Sequence, residues 1–162
     1  MCFSLFVQKL KVLKMVQLSR HISKAILICF FISIGINGCK KDYTSVIPFV
    51  YVDFSFNPAS YIELNIPGGS VFFPQYGFGG LIVFKDFEGS STPLLAFDAA
   101  CTHEISSTTR VAVDGSGVAI CPKCKSQFIL FGGGGSPVTG PASEPLKQYQ
   151  AFYSNGRIFV KN

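Results

Sequence analysis

Two short pairs of soft metal ligands stand out in this chain. They are Cys101-Thr102-His103 and Cys121-Pro122-Lys123-Cys124, with seventeen residues between His103 and Cys121. Ligands one or two residues apart let a single tight loop aim both side chains at one point. Two such loops, joined by a hairpin's length of chain, can close a four-ligand site of three thiolates and one imidazole. That set suits Zn²⁺ or an iron–sulfur cluster and suits Mg²⁺ or Ca²⁺ poorly. One pair alone would say little; two at this spacing predict a metal site. The competing use of the same thiols is a Cys121–Cys124 disulfide with Cys101 left free. Redox CxxC pairs usually open a helix, whereas the residues that follow here, Ser126 to Phe131 (SQFILF), read as a strand.

The same residues carry a resemblance. A C-x-H pair, a gap of this length, a C-P-x run leading to Cys124 in the place of the family's second His, and a Ser two positions beyond that (Ser126) are together similar to the ligand loops of the Rieske 2Fe–2S domain. The run Gly140-Pro141-Ala142-Ser143-Glu144-Pro145-Leu146-Lys147-Gln148-Tyr149 resembles that family's GPA…PL…Y segment, which folds over the cluster. The resemblance covers roughly residues 46–162 and is most specific at the ligand loops. Within the family the chain looks most like small Rieske-type lipoproteins of Bacteroidetes-like bacteria.

The resemblance implies a 2Fe–2S cluster held by Cys101, His103, Cys121 and Cys124, with Ser126, Gly140 and Pro141 around it. Rieske clusters carry two Cys on one iron and two His on the other. Cys101 and Cys121 match the two Cys, and His103 matches the first His. Cys124 stands where the second His would be. The loop-bridging disulfide of high-potential members would fall on Ser106 and Lys123, which cannot form it. Ser126 matches a Ser whose hydroxyl donates to a bridging sulfide, and Phe128 replaces a Tyr and has no hydroxyl to give. A thiolate in place of a neutral imidazole adds negative charge, and fewer hydrogen bonds leave that charge less stabilised. The expected potential therefore lies below that of two-His clusters, which span about −150 to +300 mV, and toward all-Cys clusters at about −400 mV.

The histidine count limits the chemistry. Oxygenases with such domains need a second iron bound by two His and a carboxylate. This chain has two His in all, His21 and His103. A Ser-His-Asp triad fails for the same reason. The expected role is one-electron transfer to a redox partner protein, without catalysis by the chain itself, and with His103 near the surface. Zn²⁺ on the same four residues is the alternative cofactor, making the chain a structural zinc protein; a metal-free β binding module is the other.

The N-terminal 38 residues read as a lipoprotein signal peptide. Lys9, Lys11, Lys14, Arg20 and Lys24 precede an apolar run from Ala25 to Ile36, with no acidic residue. Twelve residues fall short of the roughly 20 needed to span a bilayer. Ile36-Asn37-Gly38-Cys39 resembles a lipoprotein box, with Cys39 as the lipid site; a short uncleaved anchor helix is the alternative. Residues 39–45 then form a lipidated tether, and 46–162 one Rieske-like domain whose cluster-binding part covers about 98–145. This places the protein in the cell envelope, membrane-anchored outside the cytoplasm. Arg20 is followed by His21, so no twin-Arg signal is present and export reads as Sec-type. A cluster would then be inserted after export, whereas zinc binds spontaneously.

Five of the 14 basic residues lie in the signal, and the remaining nine balance nine acidic ones. The net charge of +5 thus reflects export, and no basic patch with interleaved aromatics points to nucleic acid.

The elements that must position the ligands are strands. Phe49–Phe56, Tyr61–Ile66, Val71–Phe73, Gly80–Lys85, Leu94–Phe97, Val111–Val113, Val118–Ile120, Gln127–Phe131, Pro145–Tyr153 and Arg157–Val160 are rich in β-branched and aromatic residues. Pro, Gly and Asn bound them. Asp86–Pro93 is a predicted turn, and Ser154-Asn155-Gly156 a hairpin turn. Gly132–Gly135 lacks the Lys-Ser/Thr and following helix of a phosphate loop and reads as a flexible turn. No segment keeps a 3.6-residue period. The expected class is all-β: a Rieske-like antiparallel β sandwich with a small cluster-binding subdomain, its core filled by the chain's many Phe residues.

Overall fold

The computed structural model describes residues 44–87 and 93–162. The signal segment, Cys39 and most of the tether lie outside the described residues, as does most of the turn expected after Lys85. Among the described residues no helix is long and apolar enough to cross a membrane.

Ten strands form among the described residues: β1 Asp53–Phe56, β2 Ser70–Phe73, β3 Leu81–Lys85, β4 Leu94–Asp98, β5 Ala112–Val113, β6 Val118–Ile120, β7 Gln127–Ile129, β8 Ser136–Thr139, β9 Gln148–Ser154 and β10 Arg157–Lys161. They make a six-stranded sheet, β1-β10-β9-β4-β3-β2, and a four-stranded sheet, β5-β6-β7-β8. Every strand pairing is antiparallel. The fold is all-β, as the patterning predicted.

The large sheet bends until its two ends meet. Rings from β1 and β2, the two edge strands, touch: Phe54 and Phe56 stand 5.2 and 4.9 Å from Phe73. Between the two halves lies a core of Val52, Phe56, Phe73, Leu81, Val83, Ala96, Ile158 and Val160. The opposite face of β3 and β4 carries Ile82, Phe84, Leu95 and Phe97, which pack against Ala119, Phe128 and Leu130 of the small-sheet region. Strands covered on both faces need an unbroken apolar run instead of alternation. That is why Leu81-Ile-Val-Phe84 and Leu94-Leu-Ala-Phe97 are apolar throughout. Truncating a ring such as Phe97, which is fully buried, to Ala costs about 3–5 kcal/mol.

Ser154 and Arg157 close the β9–β10 hairpin. Asn155 and Gly156 between them sit at φ 49° and 73°. Positive φ at both central residues is the turn type whose twist matches the strands.

The structure corrects three expectations. Tyr61–Ile66 is no strand; Ile62–Asn65 is a 3-10 helix. An Asn57 cap on the Ala59 N–H and Pro58 in the first turn start a preceding 3-10 turn. The chain then buries only Leu64, leaving Ile62 and Ile66 exposed. The first strand begins at Asp53, where pairing with β10 begins. Beyond Gly132–Gly135, Ser136–Thr139 is a strand that the sequence reading left as loop.

Candidate metal centre

Strand β4 runs through buried Ala99 and Ala100 directly into Cys101. The first ligand loop is closed at its base by Val111 N–H donating to the Ala99 carbonyl at 2.8 Å and by a bridge between Ala100 and Arg110. The chain then forms β5, turns at Asp114–Gly117 and returns as β6 into Cys121. In that turn the Asp114 carboxylate accepts from the Ser116 N–H and hydroxyl and from the Val118 N–H. Those hydrogen bonds, the Ser116 hydroxyl foremost, hold its pKa low against the opposing effect of burial. Register Ala112↔Ile120 sets the two ligand loops side by side.

The second loop is a knuckle. Lys125 N–H donates to the Cys121 carbonyl at 3.0 Å, and Cys121 N–H to the Ser126 carbonyl at 2.9 Å. Lys125 has φ 62°, uncommon outside glycine. This reversal aims Cys121 and Cys124 at the same point.

The ligand atoms of Cys101, Cys121 and Cys124 lie within 4.8 Å of one another. The Cys101 and Cys124 sulfurs are 3.6 Å apart. All three are free thiols, so the Cys121–Cys124 disulfide is not formed. Cys101 and Cys121 have no exposed surface, and Cys124 is half-buried. His103 is exposed on the first loop, at the surface position expected of it, and its ring is not among the atoms gathered within 4.8 Å.

Burial pushes the Cys101 thiol up to about 12, against backbone N–H groups of Glu104 and His103 that donate to its sulfur. Burial acts on Cys124 in the same sense. There it is outweighed by hydrogen bonds that the ionised Cys124 sulfur would accept from the Ser126 hydroxyl and N–H and from the other two thiols, so the Cys124 pKa is lowered.

Ser126 is fully buried. Its hydroxyl oxygen accepts from the Cys124 thiol at 3.1 Å and from the Ala142 N–H at 3.0 Å. Gly140, at φ 90°, passes so close that an added Cβ would stand 2.5 Å from the Ser126 Cα. The Gly140–Ala142 segment therefore lies on Ser126, with Pro141 exposed on its outer side. The Thr102 hydroxyl donates to the Glu144 carbonyl at 2.7 Å and ties the first loop to the same cover.

Four participants escaped the sequence reading. Thr102 and the Ala142 N–H join the cover to the site. Glu104 and Lys123 form an ion pair from one ligand loop to the other. Lys123 is raised above its ordinary pKa by that hydrogen bond and the Glu104 charge. Opposite charges beside a ligand in each pair were the signal available.

Beneath the loops, the Asp98 carboxylate is fully buried. It accepts from the N–H groups of Phe78 (2.7 Å), Gly79 (2.8 Å) and Ala100 (2.9 Å) and from the Tyr149 hydroxyl (2.9 Å). Burial and the Asp98 charge raise the Tyr149 pKa, so it stays a donor.

No protein-family model and no curated protein sequence matches the chain. Solved structures do. The complex of oxygenase and ferredoxin of carbazole 1,9a-dioxygenase contains a chain 23% identical, matched over 68% of this chain and 93% of that one with a TM-score of 0.48. A cyanobacterial plasma-membrane Rieske protein from Synechocystis is 24% identical over 70% of this chain and 100% of its own, with a TM-score of 0.47. The carbazole 1,9a-dioxygenase ferredoxin of Nocardioides aromaticivorans is 20% identical over 70% and 98%, with a TM-score of 0.45. At these identities the site is read from this chain's own residues: three gathered thiols, a buried hydroxyl beside one of them, and an exposed imidazole on the same loop.

Proposed function

We propose that this chain is a membrane-anchored Rieske-like lipoprotein that carries single electrons. In this reading Cys101, His103, Cys121 and Cys124 hold a 2Fe–2S cluster, and lipid on Cys39 keeps the domain at a membrane outside the cytoplasm. The observation that carries it is the convergence of three thiols from two separate loops in a buried patch under the Gly140–Ala142 cover. The donor set fits: soft thiolates are what iron–sulfur clusters and zinc take. When bound, the cluster supplies reversible one-electron transfer. The protein's own part is to hold and shield. Cys101 and Cys121 lie out of reach of water. Ser126 can turn its proton toward sulfur while still accepting from Ala142. His103, on the outer side of its loop, faces the solvent from which a redox partner protein would approach.

One observation favours a second reading, a structural zinc. A tetrahedral metal with bonds to sulfur of about 2.3 Å separates its thiolates by about 3.8 Å, close to the 3.6 Å between Cys101 and Cys124. Ligands on opposite irons of a cluster stand farther apart than ligands on one metal.

The deciding experiment is iron, sulfide and zinc analysis of anaerobically purified protein and of native membranes, with EPR after reduction. The expected result is about two irons and two sulfides per chain, with a reduced-state signal that His103→Ala abolishes. One zinc in both preparations, retained in His103→Ala, would replace the electron carrier with a structural site.

A further inference from the structure

Among the described residues no backbone hydrogen bond joins the loop of Cys101 to the loop of Cys121. The loops share a base, where β5 pairs with β6. Above it, two kinds of side-chain contact cross the gap. One is among the sulfurs of Cys101, Cys121 and Cys124, which lie within 4.8 Å of one another. The other is the ion pair of Glu104 with Lys123. Glu104 follows His103 in one loop, and Lys123 precedes Cys124 in the other. Glu104 is 23% exposed and Lys123 65%, so the pair joins the loops beside His103 and Cys124 with one partner largely in solvent.

We propose that the Glu104–Lys123 ion pair is a latch that keeps the two loops closed over the thiols and sets how fast the site opens. Neither residue need touch a bound metal; both are positioning residues. Salt weakens an ion pair open to solvent, and more so as the Debye length shrinks from about 10 Å at 0.1 M to about 3 Å at 1 M. Opening should therefore quicken as ionic strength rises. The claim about the thiols stands on contacts within the protein, and only its extension to metal retention rests on the function proposed above.

The test uses the full chain in detergent, reduced and stripped of metal. Cys101 and Cys121 are fully buried, so their alkylation requires the loops to part. Glu104→Gln and Lys123→Gln should each speed that alkylation several-fold at low ionic strength. Salt should accelerate the parent protein and leave both variants unchanged. The double reversal, Glu104→Lys with Lys123→Glu, should restore slow labelling. Removing a negative and a positive charge would change thiolate fractions in opposite senses. A shift in the same direction in both variants therefore reports opening, while opposite shifts, or none, overturn the latch. The same proteins loaded with Cd²⁺ and challenged with a chelator should release metal in the same order. A parent that labels as expected but holds no metal in any preparation keeps the latch and sinks the metal reading. A parent that holds metal but whose variants label and release like it does the reverse.

Discussion

The Ser126 hydroxyl lies 3.1 Å from the Cys124 sulfur, and it is held there from the far side by the Ala142 N–H. The serine thus couples the second ligand loop to the segment that covers it.

Replacing Ser126 with Ala should raise the pH midpoint for alkylation of Cys124 in the metal-free protein, read by mass spectrometry of the labelled peptide. Cys124 has a lowered thiol pKa despite burial, with the Ser126 side chain the foremost hydrogen bond lowering it. A lowered pKa stabilises the fold above the unfolded thiol value, and that contribution is lost as pH falls through the folded value. Ser126→Ala should shrink it. An unmoved midpoint would show that the hydroxyl does not serve the sulfur.

Gly140→Ala should lift the cover. Its Cβ would stand 2.5 Å from the Ser126 Cα, on a backbone at φ 90° that side chains rarely adopt. We expect a stability loss of about 1–3 kcal/mol from the backbone conformation alone and faster labelling of Cys124. Urea unfolding and alkylation rates give both; parent-like values in the two assays would mean that the segment is not seated on the serine.

Asp98 anchors the strand that delivers Cys101. Asp98→Asn puts an amide donor among four donors and should cost about 2–4 kcal/mol. Tyr149→Phe removes one donor, leaves three backbone ones, and should cost about 1–2 kcal/mol. Denaturant unfolding that ranks Tyr149→Phe as the more damaging would refute this ordering.

If the cluster is present, its midpoint should fall below that of two-His clusters, because Cys124 adds a negative charge and Phe128 offers no hydroxyl. Potentiometric titration followed by EPR measures it; a value well above about 0 mV, within the two-His range, would contradict the assigned ligands.

Cys39→Ala should release the protein from membranes on fractionation and leave domain folding unchanged. Continued sedimentation with membranes would rule out lipid on Cys39 as the anchor.

The class and the meeting of Cys101, Cys121 and Cys124 were legible because their signals are local. Runs of β-branched and aromatic residues bounded by Gly and Pro marked β3 and β4, Asn155-Gly156 marked the hairpin, and the close spacing of Cys101 with His103 and of Cys121 with Cys124 marked the loops. What stayed hidden depended on contacts far apart in the chain. Tyr61–Ile66 has strand-like residues but no strand pairs with it, and a 3-10 turn prevailed directly after the Asn57-capped one. Strand β8 carries Pro137 and follows four glycines, a loop's composition, and survives as the edge of its sheet. Glu104 and Lys123 are nineteen positions apart and meet only once β5 and β6 are in register. The position of His103, outside the gathered sulfurs, follows from the course of its loop, which residue types alone do not specify.

Strands β3 and β4 have an apolar core on each side. Neither half of the domain can melt without stripping those two strands of half their cover. Their amide protons, those of Val83, Phe84, Leu95 and Ala96 among them, should belong to the unit that opens last and exchanges slowest with solvent. Cys101 follows β4 by only three residues. The loop that carries Cys101 thus hangs from a strand covered on both faces, and the proposed opening at the mouth would leave that root in place.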